Sequence, residues 1–162
     1  MRFERQFYSA KPPEETLRLI ADFRNLMSWD DSVQSVTSRD EVFSQGAEYD
    51  VCVLFSGNPI EMVYTVTAYE PGVRAVLTGV AAKATAIDRI EVTATETGTR
   101  VDYAAEIRLA FPFNLLDPVL AIGFKKTVDH AVEGLVRIPE IHVSDTKLPV
   151  RKSEELGSDC KT

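Results

Sequence analysis

The sequence predicts an α+β domain in which a curved antiparallel sheet of about seven strands wraps one long C-terminal helix, with two short helices between the first and second strands. Three observations carry this. From Ser32 to Leu109 the apolar residues recur with period two, for about eighty residues. Turn signals interrupt that stretch about every ten to fourteen residues, and links so short join only antiparallel neighbours. Asp117–Ile138 is the one long segment with helical periodicity.

Taken in order, residues 2–9 alternate, with Phe3 and Phe7 on one face and Glu4 and Gln6 on the other, as a first strand does. Lys11-Pro12-Pro13-Glu14-Glu15 then puts prolines and acids where a helix start favours them, and Leu17, Ile20 and Ala21 give a short apolar stripe to about Phe23. Arg24 to Trp29 forms a second short helical turn. The second strand is expected over Val33–Val42. Tyr49, Val51, Val53 and Phe55 alternate on the third, and Met62, Tyr64, Val66 and Ala68 on the fourth. Ser56-Gly57-Asn58-Pro59 and Glu70-Pro71-Gly72 are turns, the latter of type II. Val73–Gly79, Thr85–Glu96 and Thr99–Leu109 complete the meander, and 110–117, with its FPFNLL, reads as a loop beside the helix that could gate the space behind it.

In the helix, Asp117 is the N-cap, Pro118 takes the first turn and Pro139 ends the run. Leu120, Phe124, Val128, Ala131 and Leu135 share the apolar stripe, opposite Lys125, Lys126, Asp129, Glu133 and Arg137. A single helix cannot fill the hollow of a curled sheet, so an apolar cavity is expected between them.

Composition bounds the function classes. The chain has 162 residues, 44% of them apolar, enough for one domain with a core, expected over 1–139 with a loosely held polar tail over 140–162. A formal charge of −7 argues against nucleic acid and anionic membrane surfaces as partners. No apolar run reaches transmembrane length, so no membrane insertion is expected. Two cysteines, Cys52 and Cys160, make no disulfide framework, and MRFERQFYSA carries no signal-peptide core. A cytoplasmic location is the expectation.

The order strand, two short helices, six strands, long helix resembles the START-like (SRPBCC, helix-grip) superfamily, and specifically its polyketide cyclase/dehydrase branch, over about residues 2–138. The stretches that carry the resemblance are SAKPPEETLRLIAD, NLMSWDDSV, GAEYDV, VTAYEPGVRA and TGTRVDYAAEI, in that order. The resemblance implies the fold. It leaves function open, because the superfamily spans lipid carriers, quinone-binding proteins, allergens, chaperone activators and cyclases.

Strand parity points to the chemistry. On the sixth strand Ala86, Asp88, Ile90 and Val92 face inward; on the seventh Val101, Tyr103, Ala105, Ile107 and Leu109 do. Asp88, with Tyr103 or Tyr64 as a partner, is therefore the candidate acid/base group, since a carboxyl among aliphatic walls is raised toward neutrality. Its bland alternative is a carboxyl hydrated at the mouth or hydrogen-bonded to a tyrosine. Trp29-Asp30 stands at the mouth of the cavity, or else Trp29 is a packing anchor. The expected ligand-binding wall comprises Trp29, Tyr49, Val51, Val53, Phe55 and Met62, then Tyr64, Val66, Asp88, Ile90 and Tyr103. Ala105, Ile107, Leu120, Phe124, Val128 and Ala131 complete it. His130 and His142 lack metal-ligand spacing, Cys52 has outward parity, and no cofactor or metal is expected. Cyclases of this branch hold polyketide carbonyls with an arginine inside the pocket; here Arg89 and Arg108 have outward parity and Arg100 sits at a turn. The leading expectation is binding of an apolar small molecule such as a lipid, quinone or polyketide-like aromatic. A cyclase or dehydratase comes second, and a protein-interaction role with a filled cavity third.

Overall fold

A computed structural model describes residues 2–55 and 57–110, and from the C-terminal part 129–131, 133–135, 137–138 and 141–142. The period-two stretch folds as a meander. Strand β1 (Arg2–Ser9) is followed by helix α1 (Pro13–Ala21) and a 3₁₀ helix (Phe23–Ser28). Then come β2 (Val33–Ser38), β3 (Glu48–Phe55), β4 (Asn58–Glu70), β5 (Arg74–Ala81), β6 (Ala84–Thr95) and β7 (Gly98–Leu109). The sheet is antiparallel in the order β2-β3-β4-β5-β6-β7-β1-β8. Its eighth member, β8 (Ile141–His142), is two residues long and pairs with Tyr8 and Ser9 of β1.

The turn at Glu70-Pro71-Gly72 forms as expected: Gly72 takes φ 70° and the Val73 amide donates to the Glu70 carbonyl at 3.0 Å. The second strand does not run to Val42. It ends at Ser38, whose hydroxyl donates to the Asp40 carbonyl at 2.7 Å, while the Asp40 carboxylate accepts the Glu48 amide at 2.8 Å. These local bonds satisfy the chain as a loop and end the ladder. β2 also carries a bulge between Val33 and Ser35.

Parity holds through β6 and β7: Ala86, Asp88, Ile90, Val92, Val101, Tyr103 and Ala105 are buried. One end of the hollow is closed by the two short helices. Leu17, Ile20 and Ala21 of α1 are buried, and α1 packs against β5, β6 and β7. Phe23 sets its ring 4.9 Å from Tyr64 and 5.9 Å from Tyr49. The C-terminal helix is therefore not the sole cover of the sheet.

Of the helix expected over Asp117–Ile138, residues 129–131 and 133–135 are described and helical, with Ala131 and Leu135 buried and His130 and Glu133 exposed. Leu120, Phe124, Val128 and the loop 111–117 lie outside the described residues. Gly134 sits so close to Trp29 that a Cβ there would fall 1.7 Å from the Trp29 carbonyl oxygen, so only glycine permits this approach. Arg137 pairs with Asp31 at 2.9 Å and Arg5 pairs with Asp129. The helix end is thereby held against both β1 and the loop after the 3₁₀ helix.

Candidate functional site: a buried carboxyl under two phenols

The open end of the sheet contains a void of about 100 Å³ among the described residues. Its walls are apolar: Val53, Phe55, Met62, Ala86, Ala105 and Ile107 from the sheet, with Ala131 opposite. Its polar groups are Asp30, Ser32, Tyr64, Asp88, Tyr103 and Glu106. Behind it lies a second void of about 60 Å³ that shares Asp30, Val53, Tyr64, Asp88 and Tyr103. Trp29, Phe23, Leu26, Val33 and Val51 complete this inner chamber.

Asp88 stands where the two spaces meet. It is placed by the alternation of β6, which turns its neighbour Arg89 outward to Glu106 at 3.3 Å, and it is only 7% exposed. The Tyr103 hydroxyl donates to its Oδ1 at 2.6 Å. Burial pushes the Asp88 carboxyl up to about 6. Hydrogen bonding from Tyr103 and Tyr64 and the charge of Arg89 oppose that rise, and the charge of Asp30 adds to it. Both phenols are driven well above their ordinary range by burial and by the adjacent carboxylate, so they remain neutral donors.

Tyr64 owes its position to Gly79, its partner on β5. A Cβ at Gly79 would lie 2.5 Å from Tyr64 Cζ, so the ring covers a bare stretch of neighbouring backbone. Asp30 comes from the loop after the 3₁₀ helix. The Ser32 amide and hydroxyl donate to its Oδ1 at 2.9 and 2.6 Å, and burial raises its pKa against those bonds. Ser32 and Gly79 are absent from the expected site, and Asp30 is expected only beside Trp29 at the mouth. The Asp-Asp-Ser run after a helical turn is a signal for a side-chain-to-backbone turn, and an isolated glycine inside a strand is a signal for close approach.

Three expected wall residues are elsewhere. Tyr49, Val66 and Ile90 have the inward parity assigned to them, but they line neither void. They lie toward the end that α1 and the 3₁₀ helix fill, where Tyr49 packs on Phe23 and donates to Asp22 at 3.1 Å. Trp29 is 2% exposed and packed, and it walls the inner chamber, not the outer void.

The arrangement can exchange a proton near neutral pH or hold a polar group at the end of an apolar molecule. Among the described lining residues there is no arginine: Arg89 and Arg108 pair with Glu106 and Arg100 with Asp102. Among the described residues no group of three His, Cys, Asp or Glu could hold a metal, and no helix is long and apolar enough to cross a membrane.

Comparison with known proteins agrees with this architecture. The chain matches the family described as polyketide cyclase / dehydrase and lipid transport over residues 1–139. No curated protein matches it. Among solved structures, TTHA0849 from Thermus thermophilus superposes with a TM-score of 0.71 at 16% identity, covering 85% of this chain and 95% of that one. A START superfamily protein from Mycobacterium smegmatis gives 0.65 at 13% identity, with coverages of 84% and 97%. The Mll3558 protein from Rhizobium loti gives 0.63 at 15%, with coverages of 85% and 95%. Such identities show a shared fold alone. The family match spans the meander and both short helices, and on that basis the chain belongs to the polyketide cyclase / dehydrase and lipid transport family.

Proposed function

We propose that this protein binds an apolar small molecule between sheet and C-terminal helix, with the molecule's polar end on Asp88, Tyr103 and Tyr64. Lipids, quinones and polyketide-like aromatics are the chemical classes in question. One observation supports this above the others: the buried Asp88 carboxyl, bonded by a phenol at 2.6 Å, faces a cleft whose sheet walls are largely apolar. The void of about 100 Å³ among the described residues is smaller than the several hundred Å³ of drug-sized ligand sites. It suits the leading end of a ligand, and an aromatic ring better than a folded acyl chain. A cytoplasmic protein that takes its ligand from solution fits the charge of −7.

The test is mass spectrometry of the purified protein under native conditions, followed by a thermal-shift panel of fatty acids, quinones and hydroxylated aromatics. The expected result is a co-purifying molecule, or stabilisation of about 2.7 kcal/mol at a hundredfold excess over Kd. Stabilisation should be weakened in Tyr103→Phe. A protein that carries nothing and is stabilised by no member of the panel would sink the proposal and favour an interaction role with a filled cavity.

Catalysis is the second reading, favoured by the rise of Asp88 to about 6, where a general acid or base is effective. In that reading Asp88 moves the proton, and Tyr103 or Tyr64 hydrogen-bonds the developing oxyanion of a β-keto substrate. Once a substrate is identified, unchanged turnover in Asp88→Asn would end it.

A further inference from the structure

The inner chamber of about 60 Å³ is more polar than an apolar ligand requires. Phe23, Leu26, Val33 and Val51 give it carbon walls, but Asp30, Tyr64, Asp88 and Tyr103 line it as well. They arrive from four separate places: the loop after the 3₁₀ helix, β4, β6 and β7. The charge of Asp30 acts on Asp88, Tyr64 and Tyr103 alike, so its carboxylate lies near all three. Arg89 is turned out to Glu106, and no Lys or Arg is among the described lining residues.

The bonds among these groups leave capacity over. Ser32 donates twice to Asp30 Oδ1, and Tyr103 donates to Asp88 Oδ1. A carboxylate has about four acceptor positions, and a phenol that donates can still accept. Stripping buried carboxylates of water is costly, and buried polar groups are satisfied by protein or by ordered water. About 10–15 Å³ is room enough for one water where two to four polar groups surround it; the cavities that stay dry are apolar ones. The chamber has about four times that volume, with four polar side chains around it. Water also suits the mixture, because it donates to carboxylates and both donates to and accepts from phenols.

We infer that the inner chamber is a water site, in which bound water bridges the Asp88 and Asp30 carboxyls and Tyr64 and Tyr103 complete its shell. The outer void meets Asp88 from one side and the water meets it from the other. The water solvates the charged form of Asp88 and so limits the rise that burial imposes on it. This goes beyond the proposed ligand binding and does not depend on it.

The experiment measures ¹⁷O relaxation dispersion of the full chain, which counts long-lived internal waters, and follows the Val33 and Val51 methyl resonances under xenon pressure. The comparison is Val51→Leu, because Val51 is 2% exposed and lines the inner chamber but not the outer void. The native chain is expected to show long-lived water and to leave both methyls unmoved by xenon, which enters dry apolar cavities. Val51→Leu should lose the signal of at least one water, and its Asp88 carboxyl should titrate about one pH unit higher. Xenon that shifts the Val33 and Val51 methyls would show a dry chamber and overturn the inference. Equal dispersion in the two proteins would place the water elsewhere and overturn it too. If Val51→Leu does not fold, the xenon measurement on the native chain decides. A protein that shows this water yet binds no member of the ligand panel would lose the proposed function and keep the water site.

Discussion

The same sheet holds two tyrosine–aspartate pairs, and they behave in opposite ways. At the closed end Tyr49 donates to Asp22 at 3.1 Å; at the open end Tyr103 donates to Asp88 at 2.6 Å. Both aspartates are buried. Burial pushes Asp22 up, but Arg24, whose Nε and Nη2 reach its carboxylate at 2.9 and 2.5 Å, brings it below the ordinary carboxylate value. Asp88 has no such partner in its cleft and rises to about 6. A phenol therefore does not decide whether a buried carboxyl is inert or titratable. A guanidinium does, by stabilising the charged form directly. Asp22 caps the 3₁₀ helix and holds structure together, whereas Asp88 is left able to change state.

The contrast can be broken most strongly at Asp88. A carboxyl that titrates near 6 when folded and near 3.8 when unfolded binds its proton more tightly in the folded state. Its stabilising contribution is full below about pH 4 and is lost as pH rises through about 6, a change on the order of 3 kcal/mol. Asp22, lowered on folding, runs the other way and loses its contribution as pH falls. Urea unfolding of Asp88→Asn from pH 4 to 7.5 should show a shallower decline than the native chain, leaving the variant more stable at neutral pH. Parallel curves for the two would show that Asp88 is not raised.

Gly79→Ala should have the next largest effect, because its Cβ meets the Tyr64 ring. The expected cost is about 1–3 kcal/mol of overpacking, and Asp88 should titrate higher as the Tyr64 hydroxyl is displaced. Carboxyl NMR titration checks the second effect, and an unmoved Asp88 would mean that Tyr64 does not hold it. The smallest effect is expected from Arg24→Gln. Asp22 should then rise from below its ordinary range to above it, turning the closed-end pair into a likeness of the open one. If Asp22 still titrates low, something other than Arg24 distinguishes the pairs.

Much of this was legible in the chain itself. Period-two alternation placed Asp88, Tyr64 and Tyr103 on one face, and the strands that carry them, in register through β5, brought them together. Alternation gives a face, however, and not a position along it. Tyr49, Val66 and Ile90 share the correct face yet lie outside the voids, because α1 and Phe23 occupy their end of the hollow. Asp30 is a loop residue, to which parity does not apply; its place depends on the Ser32 bonds and on Trp29 packing against Gly134. Gly79 contributes a missing side chain, which no hydrophobic pattern records.

The bulge in β2 has a consequence for how copies of this chain meet. β2 forms one margin of the sheet, and it is short, kinked between Val33 and Ser35, and polar outward at Gln34, Ser35 and Thr37. Toward the other margin, β8 covers Tyr8 and Ser9, while Arg2, Glu4 and Arg5 put charge along the rest of β1. Neither margin presents the long, flat, apolar row of backbone groups that recruits a strand from another molecule. Among the described residues, both margins thus carry features that disfavour edge-to-edge pairing of sheets.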